Sequence, residues 1–130
     1  MTIESQPRST EEWFHAAIDY EDSGCLEEAA AAYRAAVRGE PDDPVLHAAM
    51  LAYMSDVSLL HPVLAKHGVS FTLDPVMGAS LDHALWFQRP FRADEWLLYD
   101  AHSPSATAGR GLASGRLFAE DGTLVATVVQ

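Results

Sequence analysis

Apolar positions along the chain follow two patterns: helical spacing from about residue 9 to residue 68, then short runs rich in β-branched and aromatic residues from about residue 79. Ser9 or Thr10 can cap a first helix, with Glu11 and Glu12 in the turn where the macrodipole favours negative charge, and this helix is expected to reach about Asp22. Ser23-Gly24 breaks the pattern. Leu26 to Arg38 is Ala-rich and strongly helix-forming, so the two segments predict a helical hairpin ended by Gly39 and Pro41. Asp42-Asp43-Pro44 starts a third helix with a carboxylate cap and Pro at its first position. Its run VLHAAMLAYMSDVSLL is apolar nearly all round, which predicts burial on most sides. Pro62 should kink or end it, with a further turn over Val63 to His67 before Gly68. Strands are expected at about 79–88, 95–103, 109–118 and 123–130, punctuated by Arg89-Pro90, Ser103-Pro104 and Asp121-Gly122, the last a two-residue hairpin signal. A buried helix followed by an antiparallel meander is an α+β arrangement in which the sheet curls around the helix.

With 130 residues there is room for one domain, or one with a small appendage, and a composition 48% apolar is enough for a core. The charge narrows the partners. A formal −11, of which −8 lies in residues 1–43, repels phosphate backbones and anionic bilayers, so neither nucleic acid nor a membrane is expected as a partner. Cys25 is the only cysteine, which excludes an internal disulfide and a thiolate zinc cage and fits a reducing compartment. The opening twenty residues lack a signal-peptide pattern, and a cytoplasmic protein is expected.

Within the hairpin, Trp13, Ala16, Ala17, Tyr20, Ala29, Tyr33 and Pro41 fall at the spacing of a tetratricopeptide repeat, which this stretch resembles. Shifting the frame by the length of one repeat finds no second unit. The organisation expected is therefore a hairpin at 1–40 and a second domain at 41–130, with the hairpin packed on the helix that begins at Pro44.

Six blocks in the second part occur together and in order: DDPVLHAAMLAYMSD (42–56), ASLDHALWF (79–87), RPF (89–91), EWLLY (95–99), GRGLASGRLF (109–118) and DGTLVATVVQ (121–130). They resemble the C-terminal half of the acyl-CoA thioesterase II family, built from hotdog folds. The resemblance implies a hotdog-like antiparallel sheet of about four strands around the long helix, the strands that normally precede that helix being replaced by the hairpin. It implies hydrolysis of acyl-CoA by a water activated by Asp56, Ser80 and Gln130, without a cofactor and without a covalent acyl-enzyme. An open sheet edge and sites completed across two domains imply a homodimer or higher homo-oligomer. Gln130 stands last in the sequence, where fraying is expected.

Read without the family, Asp56 still stands out, since Ala49, Ala52, Tyr53, Leu59 and Leu60 flank it at helical spacing. A carboxylate in an apolar stripe must be hydrogen-bonded, neutralised or retained for function. Ser80 and Gln130 carry no such signal. Asp82-His83 resembles an acid and base pair, but neighbours in a strand point to opposite faces, which favours structural hydrogen bonding for both. Trp86, Phe87 and Phe91 read as core and lining aromatics. Gln88 stands where the family usually has His. The six histidines form no i, i+4 pair, so no metal is expected, and Ser103, Ser105 and Thr107 sit in no G-x-S-x-G elbow. Arg89, Arg92, Arg110 and Arg116 are candidates for coenzyme A phosphates. The alternative function is a non-catalytic interaction module built on a decayed hotdog fragment.

Overall fold

The computed structural model describes residues 9–69 and 76–130; the polar leader before Ser9 lies outside them. The chain divides into two compact units, one through Met50 and one from Leu51.

The first unit contains α1 (Thr10–Asp22), α2 (Leu26–Gly39) and the opening turns of α3 (Pro44–Leu59). Ser9 and Glu12 close a capping box: the Ser9 hydroxyl accepts from Glu12 N–H at 3.2 Å, and Glu12 accepts from Ser9 N–H at 2.6 Å. Ala17 and Ala29 are fully buried, as close approach of two helices requires. Tyr33 packs edge-on against Phe14 and donates its hydroxyl to Glu21 at 2.8 Å. Asp43 caps α3 by accepting from Val45 N–H at 2.8 Å.

The second unit holds the rest of α3, then α4 (His61–Lys66), β1 (Ala84–Phe87), β2 (Leu97–Thr107), β3 (Arg110–Ala119) and β4 (Leu124–Val129). The strands form one antiparallel sheet in the order β1-β4-β3-β2, an α+β fold as the pattern predicts and hotdog-like as the family resemblance implies. Pro62 accounts for the break between α3 and α4, because it lacks the N–H that would reach Ser58 C=O. The His61 ring contacts that orphaned carbonyl instead, through Nδ1 at 3.2 Å.

Leu51, Ser55, Leu59 and Val63 recur every four residues and are all buried. The three apolar members join Ala113, Leu117, Val125, Ala126 and Val128 of the sheet in one cluster. The helical stretch Pro44–Lys66, 23 residues at mean hydropathy 1.3, is long and apolar enough by length and composition to cross a membrane. In the second unit the sheet gives this stripe its partner. Met54 and Val57 are 42% and 43% exposed, however, so burial around the helix is incomplete.

Three turns differ from expectation. Asp121-Gly122 belongs to a three-residue loop: Gly122 N–H returns to Ala119 C=O at 2.9 Å, Gly122 takes φ +83°, and Ala119 pairs with Thr123. This is a type I turn with a glycine bulge rather than the tighter two-residue turn. Thr123 N–H also donates to the Asp121 carboxylate at 2.9 Å, which holds that carboxyl below its ordinary range. Ser103-Pro104 is not a turn at all. β2 continues through it by a register shift between His102 and Ser105 on the sheet edge, where proline's missing N–H is tolerated. The reversal comes at Ala108-Gly109, both at positive φ, as a two-residue turn linking Thr107 to Arg110 requires.

Across the sheet, Tyr99, Ala101, Gly115, Leu117, Ala126 and Val128 lie on the helix side, and the intervening positions lie on the outer side. Trp86 is on the outer side and 52% exposed, contrary to its reading as core. Phe87, also half-exposed, stacks on Phe91 with 6.0 Å between ring centres, and Phe91 packs against the core cluster.

Candidate active site

Asp56, Ser80 and Gln130, separated by up to 74 residues, meet at one carboxylate oxygen. The Ser80 hydroxyl donates to Asp56 Oδ1 at 3.1 Å, and Gln130 Nε2 donates to the same atom at 2.8 Å. Gln130 Nε2 also meets Ser80 Oγ, closing a triangle.

Each side chain arrives by a different route. Asp56 is on α3 next to the buried stripe, partly buried at the rim of the helix–sheet core. Ser80 lies in the irregular segment before β1. The strand expected from residue 79 begins only at Ala84, because Ser80 and His83 are bonded to α3 instead of to a neighbouring strand. Gln130 follows β4 directly, and its backbone exchanges two hydrogen bonds with Ala113 at 2.9 and 3.0 Å. The ladder therefore continues to Gln130, and the fraying expected there is corrected.

With both donors on Oδ1, Asp56 Oδ2 keeps its lone pairs for another proton donor. Gln130 Oε1 is buried without a partner among the described residues, the only such side-chain atom found there. A buried acceptor left open beside a carboxylate suits a small hydrogen-bonding molecule.

Beside the triangle is a cavity of about 690 Å³, whose lining includes both Ser80 and Gln130. Leu59, Val63, Leu64, Met77, Leu81 and Leu112 give it an apolar character. Gly111 permits the floor: a side chain there would collide with Val63.

Two residues near the triangle escaped the sequence reading. Ser55 is fully buried, with its hydroxyl donating to Ala52 C=O at 3.0 Å and lying 3.1 Å from His83 Nε2. Tyr99 donates its hydroxyl to Ser55 C=O at 3.2 Å. Burial, and secondly the negative charge of Asp56, push the Tyr99 phenol well above its ordinary pKa, so it remains a donor. Ser55 was findable, since a serine interrupting Leu51, Leu59 and Val63 at four-residue spacing cannot face solvent if its neighbours do not. Tyr99 had no comparable signal.

The other candidates lie apart from the triangle. Arg116 pairs with Asp100 and lies 5.6 Å from the Phe118 ring centre, Arg92 pairs with Asp94 and Glu95, and Arg89 donates to Leu124 C=O at 3.0 Å. Arg110 alone of the four lines the cavity. Gln88 donates to Thr127 Oγ1 at 2.7 Å. The Ser103 hydroxyl donates to Leu112 C=O at 3.0 Å, a structural use.

A helix laid on an antiparallel sheet, with an Asp, a Ser and a Gln joined at its edge, defines a hotdog-like domain bearing a polar site beside an apolar cavity. The acyl-CoA thioesterase family model matches residues 12–130, and the chain belongs to that family. It is 43% identical over 88 residues to acyl-coenzyme A thioesterase 8 of Mus musculus, covering 68% of this chain and 27% of that protein. It is 39% identical over 90 residues to acyl-CoA thioesterase 2 of Haemophilus influenzae, covering 69% and 32%. Among solved structures, an acyl-CoA thioesterase II from Mycobacterium marinum superimposes with a TM-score of 0.64 at 56% identity, over 69% of this chain and 34% of that one. The chain thus spans about a third of the length of the relatives it matches. Because the family match begins at residue 12, it takes in both helices of the hairpin, and the tetratricopeptide reading of that hairpin finds no support.

Proposed function

We propose that this chain hydrolyses acyl-CoA thioesters with a water molecule activated by Asp56, Ser80 and Gln130. The observation carrying this reading is the convergence of Ser80 and Gln130, which both line an apolar cavity, on one oxygen of Asp56. Water bonds to Asp56 Oδ2 and Gln130 Oε1, and Asp56 accepts its proton as the oxygen attacks the thioester carbonyl. The C–S bond then breaks, the thiolate takes the proton back from Asp56, and a carboxylic acid and the coenzyme A thiol leave. Ser80 and Gln130 hold the carboxylate and do not become acylated. The acyl chain occupies the cavity lined by Leu59, Val63 and Leu112. No cofactor or metal takes part.

Thiol release from a panel of acyl-CoA esters tests this directly, with turnover expected on chains that fill the cavity. Absence of thiol release across the panel would favour the non-catalytic interaction module. An assembly of at least two copies is also proposed, supported by the open edges of β1 and β2 and by exposed Trp86, Leu98 and Leu112. Light scattering at micromolar concentration is expected to show a dimer or larger, and an active monomer would defeat this part.

A further inference from the structure

The bonds around Ser55 hold the peptide unit that carries Asp56. The carbonyl of Ser55 is one end of the Ser55–Asp56 peptide, and it accepts the Tyr99 hydroxyl at 3.2 Å. The other end, Asp56 N–H, has Ala52 C=O as its helical partner by the i to i−4 rule. That same carbonyl also receives the Ser55 hydroxyl at 3.0 Å. A hydroxyl has one proton, and Ser55 gives it to Ala52, so the 3.1 Å contact with His83 is made by Nε2–H donating to Ser55 Oγ. His83 therefore carries its proton on Nε2. It lies three residues after Ser80, on the segment that reaches α3 before β1 begins.

We propose that His83, acting through Ser55, and Tyr99 are positioning residues that set Ser80 against Asp56. His83 fastens the Ser80 segment to the helix turn bearing the carboxylate, while Tyr99 fixes the peptide plane from which that carboxylate projects. None of the three touches the reacting atoms. Gly115 belongs to the same device, because a Cβ there would collide with the Tyr99 ring. The chemistry they serve is that of the proposed function, but the positioning is measurable without turnover.

The test uses the full chain with His83→Ala, His83→Gln, Ser55→Ala and Gly115→Ala, read by crystal structure, by long-range 1H–15N correlation of the imidazole, and by kinetics. His83→Ala is expected to move Ser80 Oγ by about 1 Å from Asp56 and to lower kcat by about 10- to 100-fold, the scale of such a misplacement. KM should stay within about twofold, since the apolar walls of the cavity at Leu59, Val63 and Leu112 are not altered. His83→Gln, whose Nε2 reaches nearly the same point, should restore most of both. Ser55→Ala should abolish exchange protection of the His83 Nε2 proton, and its combination with His83→Ala should be no worse than either alone. Gly115→Ala should lower kcat by displacing Tyr99. If His83→Ala leaves Ser80 in place with kcat unchanged, or if the wild-type proton sits on Nδ1, the positioning assignment is overturned. If the wild type shows no thioesterase activity yet His83→Ala still displaces Ser80 and His83→Gln returns it, positioning stands and the hydrolase reading fails instead. A variant that loses its cooperative melt is judged by the Gln variant and the wild-type imidazole spectrum.

Discussion

Asp56→Asn is expected to reduce thioester turnover by about 100-fold or more, on the scale of a lost general base. The substitution preserves the shape of the carboxylate and leaves an amide oxygen able to accept from Ser80 and Gln130, so the triangle of hydrogen bonds survives. What disappears is the second oxygen as a proton acceptor. Stability should hold or rise, because a partly desolvated charge is removed while its donors keep a partner. Tyr99 offers a check independent of activity. Part of the upward push on its pKa comes from the Asp56 charge, so in Asp56→Asn the phenol should ionise at lower pH than in the wild type, with the effect of burial remaining. Ser80→Ala should lose less activity than Asp56→Asn, since it deletes one positioning bond, and Ser80→Thr should retain activity because it keeps the hydroxyl. Full turnover by Asp56→Asn would remove Asp56 from its assigned role.

How much of this was legible in the sequence depended on the range of the interaction that decides each feature. The helix start at Ser9 or Thr10, the carboxylate cap before Pro44 and the break at Pro62 are set by residues within a turn of each other, and the sequence places all three, while the structure picks Ser9, with Glu12 closing a capping box, and Asp43. Asp-Gly marked a reversal, but the number of residues in the loop is decided by how Ala119 and Thr123 pair across it, which local composition does not encode. Ser103-Pro104 was misleading for a related reason. A proline forbids an inward ladder bond but not an edge bulge, and only the strand order shows that β2 is an edge.

The site divides in the same way. Asp56 announced itself by being a carboxylate among apolar helical neighbours, whereas Ser80 and Gln130 became candidates only through the family resemblance. Their meeting depends on contacts spanning 24, 50 and 74 residues. Trp86 was misplaced because alternation along β1 does not say which face meets the helix. The register of Leu85 with Val128 decides it, putting Leu85 inward and its neighbour outward.

A comparison of Leu51→Ala with Leu59→Ala separates what the core does for stability from what it does for the substrate. Both leucines are fully buried, both belong to the cluster joining the helix to the sheet, and both lie on the same four-residue stripe. Each truncation removes the same three carbons, so each is expected to destabilise the fold by about 2–5 kcal/mol. They differ in what lies beyond the lost atoms. Leu59 lines the 690 Å³ cavity and Leu51 does not. At position 51 the deletion leaves a closed void whose walls lose their dispersion contacts, which places its cost in the upper part of that range. At position 59 the new space joins the existing cavity, where solvent or an acyl chain can fill it, so the cost should fall in the lower part. The functional consequences should then run the other way. Leu59→Ala is expected to shift thioester preference toward longer or bulkier acyl groups, seen as a change in relative kcat/KM across a chain-length series, and Leu51→Ala to leave the preference unchanged at a temperature where both variants are folded. Identical chain-length profiles for the two variants would mean that the acyl group is bound somewhere other than this cavity.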